Sequence, residues 1–173
     1  MRRIGKIRNH LDDDTAANTI NALVTSRLDN NNSLLAGASS ANINRLQLAQ
    51  NASARLLTRS RKHDHISPIL SQLHWLPVEK RVTYKALVQV YKALNDDSYP
   101  LYLRELFVEY SPNRVLRSSD VHRILCVPRS HNTYGDRALA KFAASAWNAL
   151  PDNIRTCTVF SSFKRALKTH LFV

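Results

Sequence analysis

The chain has 173 residues, enough for one domain or two small ones with a buried core. Lys and Arg total 25 against 13 Asp and Glu, a formal charge of +12 that points to a polyanionic partner, most commonly nucleic acid. A hydrophobic content of 44% excludes a disordered chain, no apolar run reaches the length of a membrane span, and two cysteines are too few for a disulfide framework or a four-cysteine zinc site.

Three glycines and six prolines leave few interruptions, which favours long helices. Arg2, Arg3, Lys6 and Arg8 make a basic start without the apolar core of a signal peptide. Asp12-Asp13-Asp14-Thr15 then predicts a helix cap, with acids at the positive end of the dipole. That helix is expected to run to about Leu35 and to end at Gly37, with Ile20, Leu23, Val24, Leu28, Leu34 and Leu35 as its apolar face. A second helix is expected from about Ala41 to Thr58, on the repeat Ile43, Leu46, Ala49, Ala52, Ser53, Leu56, Leu57. Ser67-Pro68 opens a short helix, with Ser67 as cap and Pro68 in the first turn, where a missing N–H costs nothing. It must stop before Pro77, which starts a longer helix. Trp75 and Leu76 wedge the joint. Val78, Val82, Leu87, Val88, Val90, Tyr91 and Leu94 surround most of the Pro77 helix, so it should be central and buried. A short helix near Pro100 to Phe107 follows.

From Val108 to Asn132 the pattern changes. Val115-Leu116 and Ile124-Leu125-Cys126-Val127 are short strand candidates, paired as a hairpin across Ser118 to His122. Cys126 there reads as a buried small hydrophobe. Thr133 and Asp136 form a capping pair for a helix to about Leu150, with the stripe Leu139, Phe142, Ala143, Ala146, Trp147, Leu150. Pro151 ends it. Thr158 opens a last helix with Phe160, Phe163, Leu167 and Leu171 inward. The expected fold is mainly α, a multi-helix bundle with a small β-hairpin near residues 114–128. The break near residue 108 gives regions 1–108 and 109–173, unless the two form one continuous domain.

No catalytic or metal-binding constellation emerges. A polymerase needs adjacent aspartates on a tight hairpin and a third carboxylate nearby to hold two metals. Asp12-Asp13-Asp14 opens a helix, and Asp96-Asp97 lies in a turn after one. Neither is flanked by strand residues. His63-Asp64-His65 lacks further ligands at metal-site spacing, and Arg59, Arg61 and Lys62 beside it would repel a cation, so Asp64 is read as a capping or turn residue. No glycine-rich phosphate loop, cofactor site or small-molecule substrate site is indicated. An amphipathic basic helix for a membrane surface does not stand out either.

Two basic clusters are candidates for phosphate contact. Arg55 and Arg59 share a helix face, and Arg61 and Lys62 extend it into the loop beside His63. The alternative is a solvated helix end, where the C-terminal dipole favours cations. Arg114, Arg117, Arg123 and Arg129 surround the expected hairpin, opposed only by Asp120. Lys164, Arg165 and Lys168 read as a solvated face of the last helix. Trp75 and Trp147 read as core residues.

Asp64-His65-Ile66-Ser67-Pro68, Leu73-His74-Trp75-Leu76-Pro77-Val78, Arg81 and Val90-Tyr91-Lys92-Ala93-Leu94-Asn95 resemble, in that order, the region after the polymerase core in LINE-type (non-LTR) retrotransposon reverse transcriptases of the jockey-like group. Ile4-Gly5-Lys6-Ile7-Arg8, Ser26-Arg27-Leu28-Asp29 with Asn32-Ser33-Leu34-Leu35, and Gln47 to Leu57 are similar to preceding blocks. Ser111-Pro112 with Arg117-Ser118-Ser119, Val127-Pro128-Arg129, Tyr134-Gly135-Asp136-Arg137, Trp147-Asn148-Ala149-Leu150-Pro151 and Lys168-Thr169-His170-Leu171-Phe172 are similar to later ones. The chain departs from the family pattern at Asn30-Asn31, where an aromatic residue and a cysteine are usual. It departs also at Ala144, usually proline, and at Ala38-Ser39, usually a Leu-Pro-like pair. The resemblance implies a thumb-like region followed by a C-terminal region, downstream of the family's catalytic aspartates and endonuclease. It implies a non-catalytic, nucleic-acid-binding part of an RNA-directed DNA polymerase that holds the template–primer duplex or target DNA. A helical protein-interaction module, or a decayed element fragment, is the alternative expectation. The default compartment is intracellular and reducing, nuclear or cytoplasmic.

Overall fold

The computed structural model describes residues 2–111 and 123–172. The fold is mainly α-helical, as expected, and the described residues contain no sheet. Two compact units divide the chain, Met1–Arg81 and Val82–Val173. The division falls inside one long helix. The change of sequence pattern near residue 108 lies within the second unit.

In the first unit, α1 (Arg2–Ile7) leads through a 3-10 turn (Arg8–His10) to α2 (Asp13–Ile20). Asp12 is its cap: a carboxylate oxygen accepts from the Thr15 N–H at 3.0 Å. A π-helical turn, Asn21–Thr25, joins α2 to α3 (Ser26–Asp29). The helix therefore stops at Asp29 rather than near Leu35, and Gly37 is not its terminator. Asn31 takes the left-handed conformation (φ 50°), which asparagine tolerates, and turns the chain into a separate 3-10 helix, Asn32–Leu35. The π turn also breaks the 3.6-residue register, so the expected apolar face does not persist. Ile20 is buried, but Leu23 is 52% and Leu34 80% exposed.

Helix α4 (Ser40–Thr58) matches its expected span. Its inward stripe is more polar than the sequence pattern suggests: Gln50, Ser53 and Ala54 are buried, whereas Ala52 is exposed. Helix α5 (Ile66–Gln72) begins before Ser67, so Ser67 is not its cap. Pro68 sits in the first turn, where its absent N–H has no helical partner to lose. The helix ends before Pro77 is reached. His74 adopts φ 54°, its N–H donates to the Ser71 carbonyl at 2.9 Å, and the Trp75 N–H reaches back to the Leu70 carbonyl at 2.8 Å. This is a Schellman closure with histidine where glycine is usual. Trp75 packs with Ile66 and Leu73 against Ala54, Ile69 and Leu70, the small core of this unit.

The start of α6 (Val78–Asn95) is held by two amides of α4. Gln50 Nε2 donates to the Leu76 carbonyl at 2.8 Å, and Gln47 Oε1 accepts from the Val78 N–H at 2.8 Å. The first supplies a buried acceptor with its partner; the second satisfies one of the orphan N–H groups of a helix N-terminus. Arg81 closes the unit with a bidentate pair to Asp29, Nη2 to Oδ2 being 2.7 Å, and the Arg81 Nε also donates to Asp29 Oδ1.

In the second unit, α6 is largely buried: Val82, Leu87, Val90 and Tyr91 are inward as the pattern predicts, joined by Ala86 and Ala93, while Val88 and Leu94 are half-buried. After α7 (Leu101–Arg104), Glu109 and Leu125 form an antiparallel bridge. Tyr110 N–H donates to the Ile124 carbonyl at 2.7 Å, and Cys126 N–H to the Val108 carbonyl at 2.8 Å. Leu125 is thus paired with Glu109. The expected partner strand Val115-Leu116 and the turn Ser118 to His122 lie outside the described residues, as do Arg114, Arg117 and Asp120. Cys126 is exposed rather than buried, because on an extended segment it points opposite to its buried neighbour Leu125.

The helix expected over residues 133–150 is two helices, α8 (Thr133–Asp136) and α9 (Leu139–Asn148). Asn132 caps the first, its Oδ1 accepting from the Gly135 N–H at 2.7 Å. Asp136 instead takes the Ser130 hydroxyl and the Lys141 ammonium, the latter at 2.5 Å. Gly135 is required here: a Cβ at that position would lie 2.8 Å from Ser130 Cβ. Of the predicted stripe, Ala143, Trp147 and Leu150 are buried, Trp147 fully, while Leu139, Phe142 and Ala146 are half-buried. A short α10 (Asp152–Arg155), absent from the sequence reading, precedes α11 (Phe160–Phe172). Phe163, Leu167 and Leu171 face inward; Phe163 stacks on Tyr91 at 4.3 Å and lies 5.9 Å from Trp147. These three rings are the centre of the second core.

Candidate nucleic-acid interface

The C-terminus of α4 carries the first basic cluster. It closes through Arg59, which adopts φ 56°, while the Ser60 N–H returns to the Arg55 carbonyl at 3.1 Å. Two further carbonyls of the last turn are met from elsewhere in the unit. Arg8, buried at 5% exposure, donates from Nε to the Leu56 carbonyl and from Nη2 to the Leu57 carbonyl, each at 3.0 Å. Its other contacts are the Leu11 carbonyl at 3.0 Å and Asp13 at 2.5 Å. The Arg8 hydrogen bond and charge, with a smaller contribution from Arg59, hold the Asp13 carboxyl below its ordinary range. Arg8 is the residue that sequence reasoning missed here. Its only sequence signal was an acid five positions away.

The four cations nominated from sequence divide by what holds them. Arg55 is half-buried and donates from Nη2 to the Asp64 carbonyl at 3.0 Å, so it ties the loop to the helix. Arg59 is exposed, 3.7 Å from Asp13. Arg61 and Lys62 are exposed, as are His63 and His65. The one acid in the loop, Asp64, turns its carboxylate back onto the Arg61 N–H at 2.7 Å. That is the turn role its sequence context predicts. Among the described residues no group of three His, Cys, Asp or Glu side chains could hold a metal ion.

The second nominated set is placed only in part. Arg123 is held inside the second unit: Nη1 donates to Asn95 Oδ1 at 3.1 Å, Nε is 3.6 Å from Glu109, and its carbonyl accepts from Trp147 Nε1 at 2.8 Å. Its backbone is left-handed, φ 57°. Arg129 is exposed on the segment after the bridge. Arg114 and Arg117 fall outside the described residues.

A third basic region, read from sequence as a solvated face, adjoins a groove. Between α10 and α11 lies a trough of about 510 Å³ lined by Asn153, Ile154, Ser162, Arg165, Thr169 and His170, among others. A second hollow of about 340 Å³ shares Asn153 and Ser162 with it. Pro151 and α10 supply the wall facing α11, and without α10 in the sequence reading the groove was invisible.

No described helix is long and apolar enough to cross a membrane. No protein-family model matches the chain, and no curated protein or solved structure matches it.

Proposed function

We propose that the chain is a nucleic-acid-binding segment of the non-LTR reverse-transcriptase type, gripping a duplex or strand through backbone phosphates and performing no chemistry of its own. One observation carries this reading. Buried Arg8 already meets two carbonyls at the negative end of the α4 dipole, so side-chain capping does not account for Arg61 and Lys62, nor for the side chain of Arg59, whose backbone closes the helix. These three are exposed on a chain of formal charge +12; Arg59 stands 3.7 Å from Asp13, and the loop's carboxylate, Asp64, is bound to the Arg61 N–H. Cations presented in this way neutralise phosphates and release counterions. The order of sequence blocks similar to the reverse-transcriptase family supports the same reading independently.

The test is fluorescence anisotropy with labelled oligonucleotides across a salt series. Replacing Arg59, Arg61 and Lys62 together by glutamine removes three phosphate contacts, so the slope of log affinity against log salt should fall by about 2–3. The loss should be similar for unrelated sequences, because phosphate contacts position without specifying. Circular dichroism establishes that the variant is folded. An unchanged slope would remove the site from α4, and a wild-type chain that fails to bind at low salt would overturn the reading.

A protein-interaction role is the second reading, favoured by one feature of the second unit. Leu101 and Tyr102 are 67% and 69% exposed, and Leu106, Val108 and Tyr110 follow them as exposed apolar residues. Such a run in one short stretch is unusual on a free surface. Its mark would be a protein partner whose binding is indifferent to salt.

A further inference from the structure

We infer that the groove between α10 and α11 is a second phosphate-binding site, taking the backbone of a nucleic-acid strand. The inference rests on the nucleic-acid reading above but not on the α4 cluster. The groove, about 510 Å³, has polar groups along both walls: Asn153 on α10, and Ser162, Arg165, Thr169 and His170 on α11. Ser162, Arg165 and Thr169 recur at three- and four-residue spacing, so they form one face beside the buried Phe163, Leu167 and Leu171 stripe. Arg165 is exposed, and no acidic side chain pairs with it among the described residues. Asp152 is the only acid between residues 152 and 172, against Arg155, Lys164, Arg165 and Lys168.

Arg155 strengthens the field. Its side chain is 5% exposed, Asp152 stands 3.5 Å from Nη2, and Nε and Nη1 have no hydrogen-bond partner. A buried cation so weakly compensated, on the same turn as the groove-lining Ile154, raises the positive potential of a low-dielectric wall. Clefts of that kind concentrate anions. The apolar part of the lining, Pro151, Ile154 and Ala166, suits the sugar edge of a strand, with the phosphate on Arg165 and the hydroxyls of Ser162 and Thr169 as further donors.

Three single variants of the full chain test this with a fluorescein-labelled oligonucleotide, single-stranded and duplex. Arg165→Gln should lower the salt slope by about 0.7–0.9. Ser162→Trp fills the groove without changing charge and should weaken binding roughly ten-fold, the scale of one lost charge-assisted contact. Lys168→Gln removes the same charge as Arg165→Gln away from the groove and should leave affinity nearly unchanged. Positions 162 and 165 are exposed, so folding should survive in both, and circular dichroism checks it. Equal effects of Arg165→Gln and Lys168→Gln, with none from Ser162→Trp, would overturn the groove while leaving the α4 site and the nucleic-acid reading in place. Failure of the wild-type chain to bind would overturn both. Inorganic phosphate displacing the strand at equal concentration would overturn the assignment to a nucleic-acid backbone.

Discussion

Replacing Gln50 by methionine should destabilise the first unit by about 1–2 kcal/mol, although the two side chains are close in size and the new one is apolar. Gln50 is 2% exposed, and its Nε2 is the 2.8 Å donor to the Leu76 carbonyl. Methionine leaves no cavity, so no packing penalty is expected. It leaves a buried carbonyl without a partner, which costs about 1–3 kcal/mol, offset by roughly 0.8 kcal/mol for the added apolar burial. Gln47 loses the 3.0 Å contact to Gln50 Oε1 but keeps the Asn51 oxygen at 2.7 Å, so it adds little. Gln47→Ala alone removes the acceptor of the Val78 N–H, a group at a helix start that water can partly serve, and should cost about 1 kcal/mol. Because the two amides act on residues flanking Pro77 in one joint, the double variant should be non-additive by at least about 0.5 kcal/mol. Urea denaturation followed by tryptophan fluorescence measures all three. Trp75 lies in this unit and Trp147 in the other, so a Trp147→Phe background isolates the signal. A Gln50→Met midpoint within error of the parent, or strict additivity, would show that the amides do not hold the joint.

Trp147→Ala should cost about 3–5 kcal/mol, since the ring is fully buried against Phe163, and Trp147→Phe about 1 kcal/mol for the lost 2.8 Å bond to the Arg123 carbonyl; a nearly unmoved thermal midpoint in the alanine variant would refute the core assignment. His74→Gly should raise stability by about 0.5–1 kcal/mol by relieving a left-handed histidine, and a lowered midpoint would mean that the imidazole makes a compensating contact. The Asp13 carboxyl has a folded pKa below its ordinary value of 3.8, so its contribution is full above that value and is lost as pH falls through the depressed one. Asp13→Asn should therefore be less stable than the parent near neutrality, and the difference should close on acidification below pH ~4; a difference constant with pH would exclude the Arg8 ion pair as its source.

Helices were legible wherever apolar spacing alone decided them. Val82, Leu87, Val90 and Tyr91 on α6, and Ala143 and Trp147 on α9, are inward because nothing interrupts their register. The reading failed where backbone conformation departed from that register. A π turn at Asn21–Thr25 carried Leu23 to the surface, and Asn31 ended the helix ahead of the expected glycine. Closures through His74 and Arg59 were equally hidden, because neither residue advertises a left-handed turn. Of the candidate site, the position of Arg61 and Lys62 at a helix end was legible from charge and pattern. The division of labour among arginines was not. Arg8, Arg81, Arg123 and Arg155 are drawn into carbonyls, carboxylates or the interior, and a formal charge counts them equally with those left in solvent.

The same division separates residues that hold the fold from those left at the surface. Asp29 and Arg81, from separate blocks, meet as a bidentate pair, and Gln47 reaches the Val78 N–H beside Pro77. Asn148 holds both backbone groups of Leu125, donating to its carbonyl at 2.8 Å and accepting its N–H at 2.9 Å, while neighbouring Trp147 holds Arg123. Gly135 permits the close approach of Ser130. Each of these would be needed by any chain that adopts this arrangement of helices, whatever its surface does. Positions of this kind are set by the fold and do not by themselves specify a ligand. A phosphate ligand of the kind proposed would be met by exposed side chains: Arg59, 3.7 Å from Asp13, with Arg61 and Lys62 just after α4, and Arg165 at its groove. Neutralising these should leave the urea midpoint nearly unmoved while the salt dependence of binding falls. Joint variants such as Gln50→Met should do the reverse, lowering the midpoint while the salt slope of the folded fraction stays at its parent value. If instead the exposed arginines move the midpoint and leave binding intact, they belong to the scaffold, and the interaction-module reading takes precedence.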